Sequence, residues 1–121
     1  MARILIIEDE TTFRSLMKDA LEKAGFEVTE ASDGDEGIRL FTEQNHDVVI
    51  TDILMPKKEG LETILELTDN FPDAKIIAVS GGGIGLGDDL MEIAMEFGAK
   101  YALRKPIKMK RLVEIVNEVL E

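Results

Sequence analysis

Glu8, Asp9, Asp52, Ser80 and Lys105 stand far apart in the chain, yet each falls at the end of a short apolar run: RILIIE (3–8), DVVITD (47–52), AKIIAVS (74–80) and KYALRK (100–105). Brought to one place, three carboxylates, a hydroxyl and an ammonium have a shared chemistry. Clustered carboxylates repel, and at least one takes up a proton unless a cation neutralises the group. A hard divalent ion with oxygen ligands, Mg²⁺ above all, suits such a set. With the metal on one side and Lys105 on the other, Asp52 is placed to attack a phosphoryl group while its equatorial oxygens stay neutralised. Ser80 can donate a hydrogen bond to one of those oxygens. Singly, each residue is a common loop or helix-start residue. Only their joint arrival at four strand ends carries the reading.

The elements that must position them alternate strictly. After the first run, Phe13, Leu16, Met17, Ala20, Leu21 and Ala24 recur at helical spacing, with Gly25 as the terminator. FEVTEA (26–31) reads as a strand, and SDGDEGIRLFTEQ as a helix opened by Ser32 or Asp33. After the third strand, Pro56 and Gly60 mark a turn. The next helix carries Leu61, Ile64, Leu65 and Leu67 and stops near Pro72. Leu90, Met91, Ala94, Met95 and Phe97 stripe a fourth helix ended by Gly98, with Met91 and Met95 read as core. Leu112, Ile115, Val116, Val119 and Leu120 stripe the last. Five strand–helix pairs predict a parallel α/β sheet covered by helices on both faces, and residues 1–121 are read as one domain. In such sheets ligands gather outside the carboxyl ends of the strands.

Composition narrows the function. The net charge is -11, from 25 acidic and 14 basic residues, which argues against binding nucleic-acid backbones or anionic membranes. Without cysteine there are no disulfides or thiolate metal sites, and a cytoplasmic location is expected. MARILIIEDE meets acidic residues too early for a signal peptide. The single histidine, His46, is expected to be a solvated turn residue.

The glycine tract SGGGIGLGDD (80–89) suggests a phosphate cradle, but no frame satisfies a nucleotide motif. In the G-x-G-x-x-G pattern the sixth position is Leu86 counting from Gly81 and Asp88 counting from Gly83. A P-loop frame from Gly82 reaches Gly87 and then meets Asp88 where lysine is required. The tract is read instead as a loop of free backbone, either one that moves when Asp52 is phosphorylated, letting Ser80 and Gly81 approach the phosphoryl group, or an exposed turn that tolerates glycine.

ILIIEDE, TDILMPKKEGLE, KIIAVSG and FGAKYALRKPI together resemble the receiver domain of bacterial two-component response regulators, over essentially the whole chain. The resemblance implies a flavodoxin-like (βα)5 sheet with strand order 2-1-3-4-5. It implies that Asp52 accepts a phosphoryl group from the phosphohistidine of a histidine kinase or phosphotransfer protein. Asp9, Asp52 and the backbone carbonyl of Leu54 would then ligate Mg²⁺, or Mn²⁺ in its place, with Glu8 acting through a metal-bound water. Ser80 and Lys105 would hold the phosphoryl oxygens. The switched surface, formed by the fourth helix, fifth strand and fifth helix, would meet a downstream protein or a fused output domain, or support a phosphorylation-dependent homodimer. Such a protein promotes its own phosphorylation and dephosphorylation without being a free-standing enzyme.

Two positions depart from the family pattern. Glu8 replaces the commoner aspartate. Ala102 stands where the family often carries an aromatic residue of the switch, and Tyr101, one residue earlier, points to the opposite face as a packing residue. Competing readings lack a residue each. A haloacid-dehalogenase-type phosphatase wants an aspartate where Leu54 stands, and an FMN carrier would put phosphate against Glu8, Asp9 and Glu10. A receiver that binds partners without phosphorylation would not need the full set of site residues.

Overall fold

The computed structural model describes residues 2–53, 60–81 and 87–121. Five strands, β1 (Arg3–Ile7), β2 (Glu27–Ala31), β3 (Val48–Asp52), β4 (Ile76–Ser80) and β5 (Tyr101–Arg104), alternate with five helices. These are α1 (Thr11–Lys23), α2 (Gly34–Glu43), α3 (Gly60–Asn70), α4 (Gly87–Glu96) and α5 (Met109–Leu120). The strands run parallel in the order β2-β1-β3-β4-β5. This is the flavodoxin-like order that the sequence resemblance implies.

Strand alternation sorts the core into two layers. Ile4, Ile6, Val48, Ile50, Ile77 and Val79 face Met17 and Leu21 of α1 and Leu112, Ile115 and Val116 of α5. Leu5, Ile7, Val49, Ile76 and Ala78 face the other way, toward Ile64 and Leu67 of α3 and Ala94 of α4. Strands β3 and β4 are buried along their whole length, whereas the edge strands β2 and β5 are only partly covered. Central strands therefore read as continuous apolar runs because both faces are packed.

Helix ends follow local chemistry. Asp33 caps α2, its Oδ1 accepting the Glu36 N–H at 2.9 Å, while Glu36 accepts the Ser32 N–H at 2.7 Å. Gly25 and Gly98 take φ of 97° and 118° where α1 and α4 stop.

The apolar stripes overreach in places. Leu16 and Leu65 lie on the exposed sides of α1 and α3, and Met95, expected in the core, is 45% exposed on α4. Helical spacing marks a face but not its width, and these residues fall at the margin of the buried stripe. Met91 is partly buried against the core. His46 also corrects its expectation: it is 9% exposed, stacked on Phe41 with ring centroids 6.0 Å apart. It sits at the mouth of β3, where the neighbouring Asp47 accepts the Arg3 N–H at 2.8 Å.

Candidate functional site

Parallel register brings the strand ends level. Ile7 pairs with Thr51, Asp52 with Val79, and Ser80 with Arg104, so the residues just beyond β1 and β5 meet the last residues of β3 and β4 at one edge. There Glu8, Asp9 and Asp52 each offer a carboxylate oxygen, all within 4.8 Å of one another. Glu8 is 1% exposed, Asp52 is buried and Asp9 faces solvent. Lys105 Nζ donates to Glu8 Oε1 at 2.9 Å and to Asp52 Oδ2 at 3.2 Å. Ser80 is fully buried at the end of β4. Its carbonyl accepts the Lys105 N–H at 2.8 Å, tying the two strand ends together.

Each side chain is held by its neighbours. Glu8 Oε2 accepts the Glu10 N–H at 3.1 Å, and the Glu8 carbonyl accepts Arg14 Nη1 at 2.8 Å. Arg14 is itself anchored by Glu30 on β2 at 3.4 Å. Behind Asp52, Gly60 opens α3 with its N–H donated to the Ile53 carbonyl at 2.7 Å. A side chain at Gly60 would run into the Asp52 and Ile53 backbone, so the close approach of α3 to the site requires glycine. The peptide bond between Lys105 and Pro106 is cis.

The electrostatics show what the pocket lacks. Burial drives the Glu8 carboxyl up, the Lys105 hydrogen bond opposes it and the Asp52 charge adds to it, leaving a value of about 7. For Lys105, burial favours the neutral amine, but the Glu8 hydrogen bond and the Asp52 and Glu8 charges outweigh it and raise the ammonium above its usual range. Among the described residues, the Lys105 ammonium thus serves both Glu8 and Asp52. An oxygen-only set of three carboxylates, open through Asp9, fits a hard divalent cation.

Of the expected site residues that are described, Glu8, Asp9, Asp52, Ser80, Gly81 and Lys105 lie at this edge, whereas Ala102 lies within β5, paired with Ala78. A Cβ at Gly81 would lie 3.2 Å from Lys105 Cδ, so the small residue leaves room for the lysine stem. Leu54, the expected carbonyl ligand, and residues 82–86 of the glycine tract lie outside the described residues. Ala102 and Tyr101 point to opposite faces as alternation requires: Ala102 packs on the α4 side, and Tyr101 on the α5 side, its hydroxyl accepting Arg111 Nη2 at 2.9 Å. Beside Ala102 an apolar hollow of about 340 Å³ opens between α4 and β5, lined by Met91, Met95, Lys100 and Tyr101. Helical spacing marks Phe13 only as part of the α1 stripe, yet Lys105 Nζ lies 4.4 Å from its ring centroid. No spacing rule could have paired them, because α1 and β5 meet only in the folded sheet.

The fold and the acidic edge together define a signalling receiver, and the comparisons agree. The family model for the response regulator receiver domain matches residues 4–117, and the chain belongs to that family. It is 39% identical over 97% of its length to the chemotaxis protein CheY of Thermotoga maritima, covering 96% of that protein. A receiver domain structure from Clostridium thermocellum superposes with a TM-score of 0.91 at 38% identity, covering 99% of this chain and 94% of that one. The response regulator TrrA of Thermotoga maritima, solved in complex with Mg²⁺ and BeF, superposes with a TM-score of 0.85 at 33% identity, covering 99% and 100%. This chain is a CheY-like response regulator receiver, a two-component signalling protein. Receiver domains pair with histidine kinases and output domains. No helix among the described residues is long and apolar enough to cross a membrane.

Proposed function

We propose that Asp52 is the phosphoacceptor of this receiver, taking a phosphoryl group from a phosphohistidine in a Mg²⁺-dependent reaction. The observation that carries the reading is the convergence of Glu8, Asp9, Asp52 and Lys105 at one sheet edge, with Asp52 at its centre. An Asp52 carboxylate oxygen forms the new O–P bond as the N–P bond breaks, and the electron pair leaves with the imidazole nitrogen, which takes up a proton. Asp9 and Asp52 would hold the Mg²⁺, with Glu8 acting through a water and Leu54 through its carbonyl; Mn²⁺ would serve in its place. The ion would supply charge neutralisation to the phosphoryl oxygens and carboxylates. Lys105, already turned to Asp52, binds a phosphoryl oxygen from the other side. The Ser80 hydroxyl donates to another oxygen, with Gly81 and Ala102 providing space for the adjustment.

Phosphorylation adds about -1.5 to -2 charge where Ser80 and Lys105 respond, which biases the α4–β5–α5 surface between two states. That surface meets a downstream protein or a fused output domain, or a second copy of the chain. The same geometry lets the protein promote its own phosphorylation and dephosphorylation. Intact mass after incubation with acetyl phosphate, with and without Mg²⁺ and beside Asp52→Asn, tests the assignment. One added phosphoryl group requiring both Mg²⁺ and Asp52 is expected. An adduct that persists in Asp52→Asn, or none in the wild type together with no binding of beryllium fluoride, would overturn it.

A further inference from the structure

The ammonium of Lys105 ends a flexible four-carbon stem with many rotamers, so its place at the site must be fixed by its contacts. Two of its contacts are carboxylates, Glu8 at 2.9 Å and Asp52 at 3.2 Å. A third contact is aromatic: the Phe13 ring centroid lies 4.4 Å from Nζ, well inside cation–π range.

The backbone that carries the ring is held by the acidic segment. Glu10 caps α1, its Oε2 accepting the Phe13 N–H at 3.1 Å, and the Glu10 N–H donates to Glu8 Oε2 at 3.1 Å. Contacts therefore close a circuit from Glu8 through Glu10 and Phe13 to Lys105 and back to Glu8. Phe13 also packs against the α1–α5 core layer, which restricts the ring. We infer that Phe13 is a positioning residue for phosphoryl acceptance, its ring face holding the Lys105 ammonium beside Asp52.

The physical need arises at the moment of transfer. An incoming phosphoryl group competes with Glu8 for Lys105, and an ammonium with no other neighbour could swing toward Glu8 or into water. An aromatic face attracts the cation without offering an acceptor that rivals the phosphoryl oxygens. An aliphatic side chain of similar bulk would fill the space but lack that attraction.

This inference rests on the proposed acceptor role of Asp52, and the experiment separates the two. Phosphorylation rates with acetyl phosphate are compared for wild type, Phe13→Leu and Phe13→Tyr, with Mg²⁺ affinity measured separately. In parallel, NMR follows the Lys105 Hε protons, which the ring should shift upfield. Phe13→Leu should slow acceptance about three- to tenfold and lose the upfield shift, with Mg²⁺ affinity within about twofold of wild type. Phe13→Tyr, which keeps the ring face, should retain both the rate and the shift. Equal rates in wild type and Phe13→Leu, equal losses in the leucine and tyrosine variants, or an Hε shift that ignores the ring would each overturn the inference. A wild type that takes no phosphoryl group defeats the acceptor role instead, and the Hε shift alone then decides whether the ring holds Lys105.

Discussion

At the carboxyl end of the sheet, Glu8 and Asp52 are buried together and a single ammonium bridges them. At the amino end, His46 is buried beside Phe41, and neither ring nitrogen reaches a hydrogen-bond partner among the described residues. The first end groups three carboxylates that could hold a metal ion. The second disfavours the charged form of its ring: burial lowers the His46 pKa, the Arg3 charge adds to the effect, and the Asp47 and Glu27 charges oppose it. Polar burial alone therefore does not mark a site in this molecule. Convergence of complementary groups does.

The sharpest way to break this contrast is to remove the bridging charge. Lys105→Met should cut phosphoryl acceptance about 100-fold or more, the scale seen when a preorganised charge stabiliser is lost. It leaves Glu8 and Asp52 facing each other, so metal-free Lys105→Met should also melt below wild type. A rate within tenfold of wild type would show that Lys105 is not aimed at the phosphoryl group.

Cation binding gives the next largest effect. Mg²⁺ at 100 times its Kd should raise the unfolding free energy by about 2.7 kcal/mol, read by urea denaturation, and Asp9→Asn should reduce the gain. Its pH dependence has a definite sign. Native Glu8 holds its proton to about 7, whereas an unfolded carboxyl releases it near 4.5. The native state binds more protons across that window, so the metal-free protein loses stability as pH rises through it. Glu8→Gln should flatten that slope.

His46 carries the opposite slope. Its native pKa lies below the ordinary 6.5, so the unfolded state binds the proton first and stability falls as pH drops below 6.5. His46→Phe should remove this part of the acid sensitivity and cost little or nothing at pH 7.5, since the ring is replaced by an apolar one with no orphaned nitrogens. Matching urea midpoints for wild type and variant at pH 5.5 would show that His46 does not carry the acid term. The smallest effect on acceptance belongs to Ala102→Tyr, which fills the hollow between α4 and β5: partner affinity should change while the phosphorylation rate stays within about twofold. Equal changes in both would show that the two regions are coupled through β5 more tightly than this layout implies.

The sequence by itself determined most of the architecture, because parallel strands buried on both faces must be apolar throughout and helices must repeat at their own period. IIAVS and VVITD announced the central strands, and Asp52, Ser80 and Lys105 were legible because each follows such a run. Stripe widths were not legible, since periodicity cannot say how far a neighbouring helix reaches; hence Leu16, Leu65 and Met95 lie outside. His46 departs from its expectation for a related reason: local polarity predicts a solvated turn, while the Phe41 ring of α2 stacks on a buried imidazole. Only the tertiary structure decided which charged groups meet. The Lys105 bridge to Glu8, the Phe13 ring beside it and the raised Glu8 carboxyl all depend on distances across β1, α1 and β5, which parallel register sets and sequence spacing does not encode.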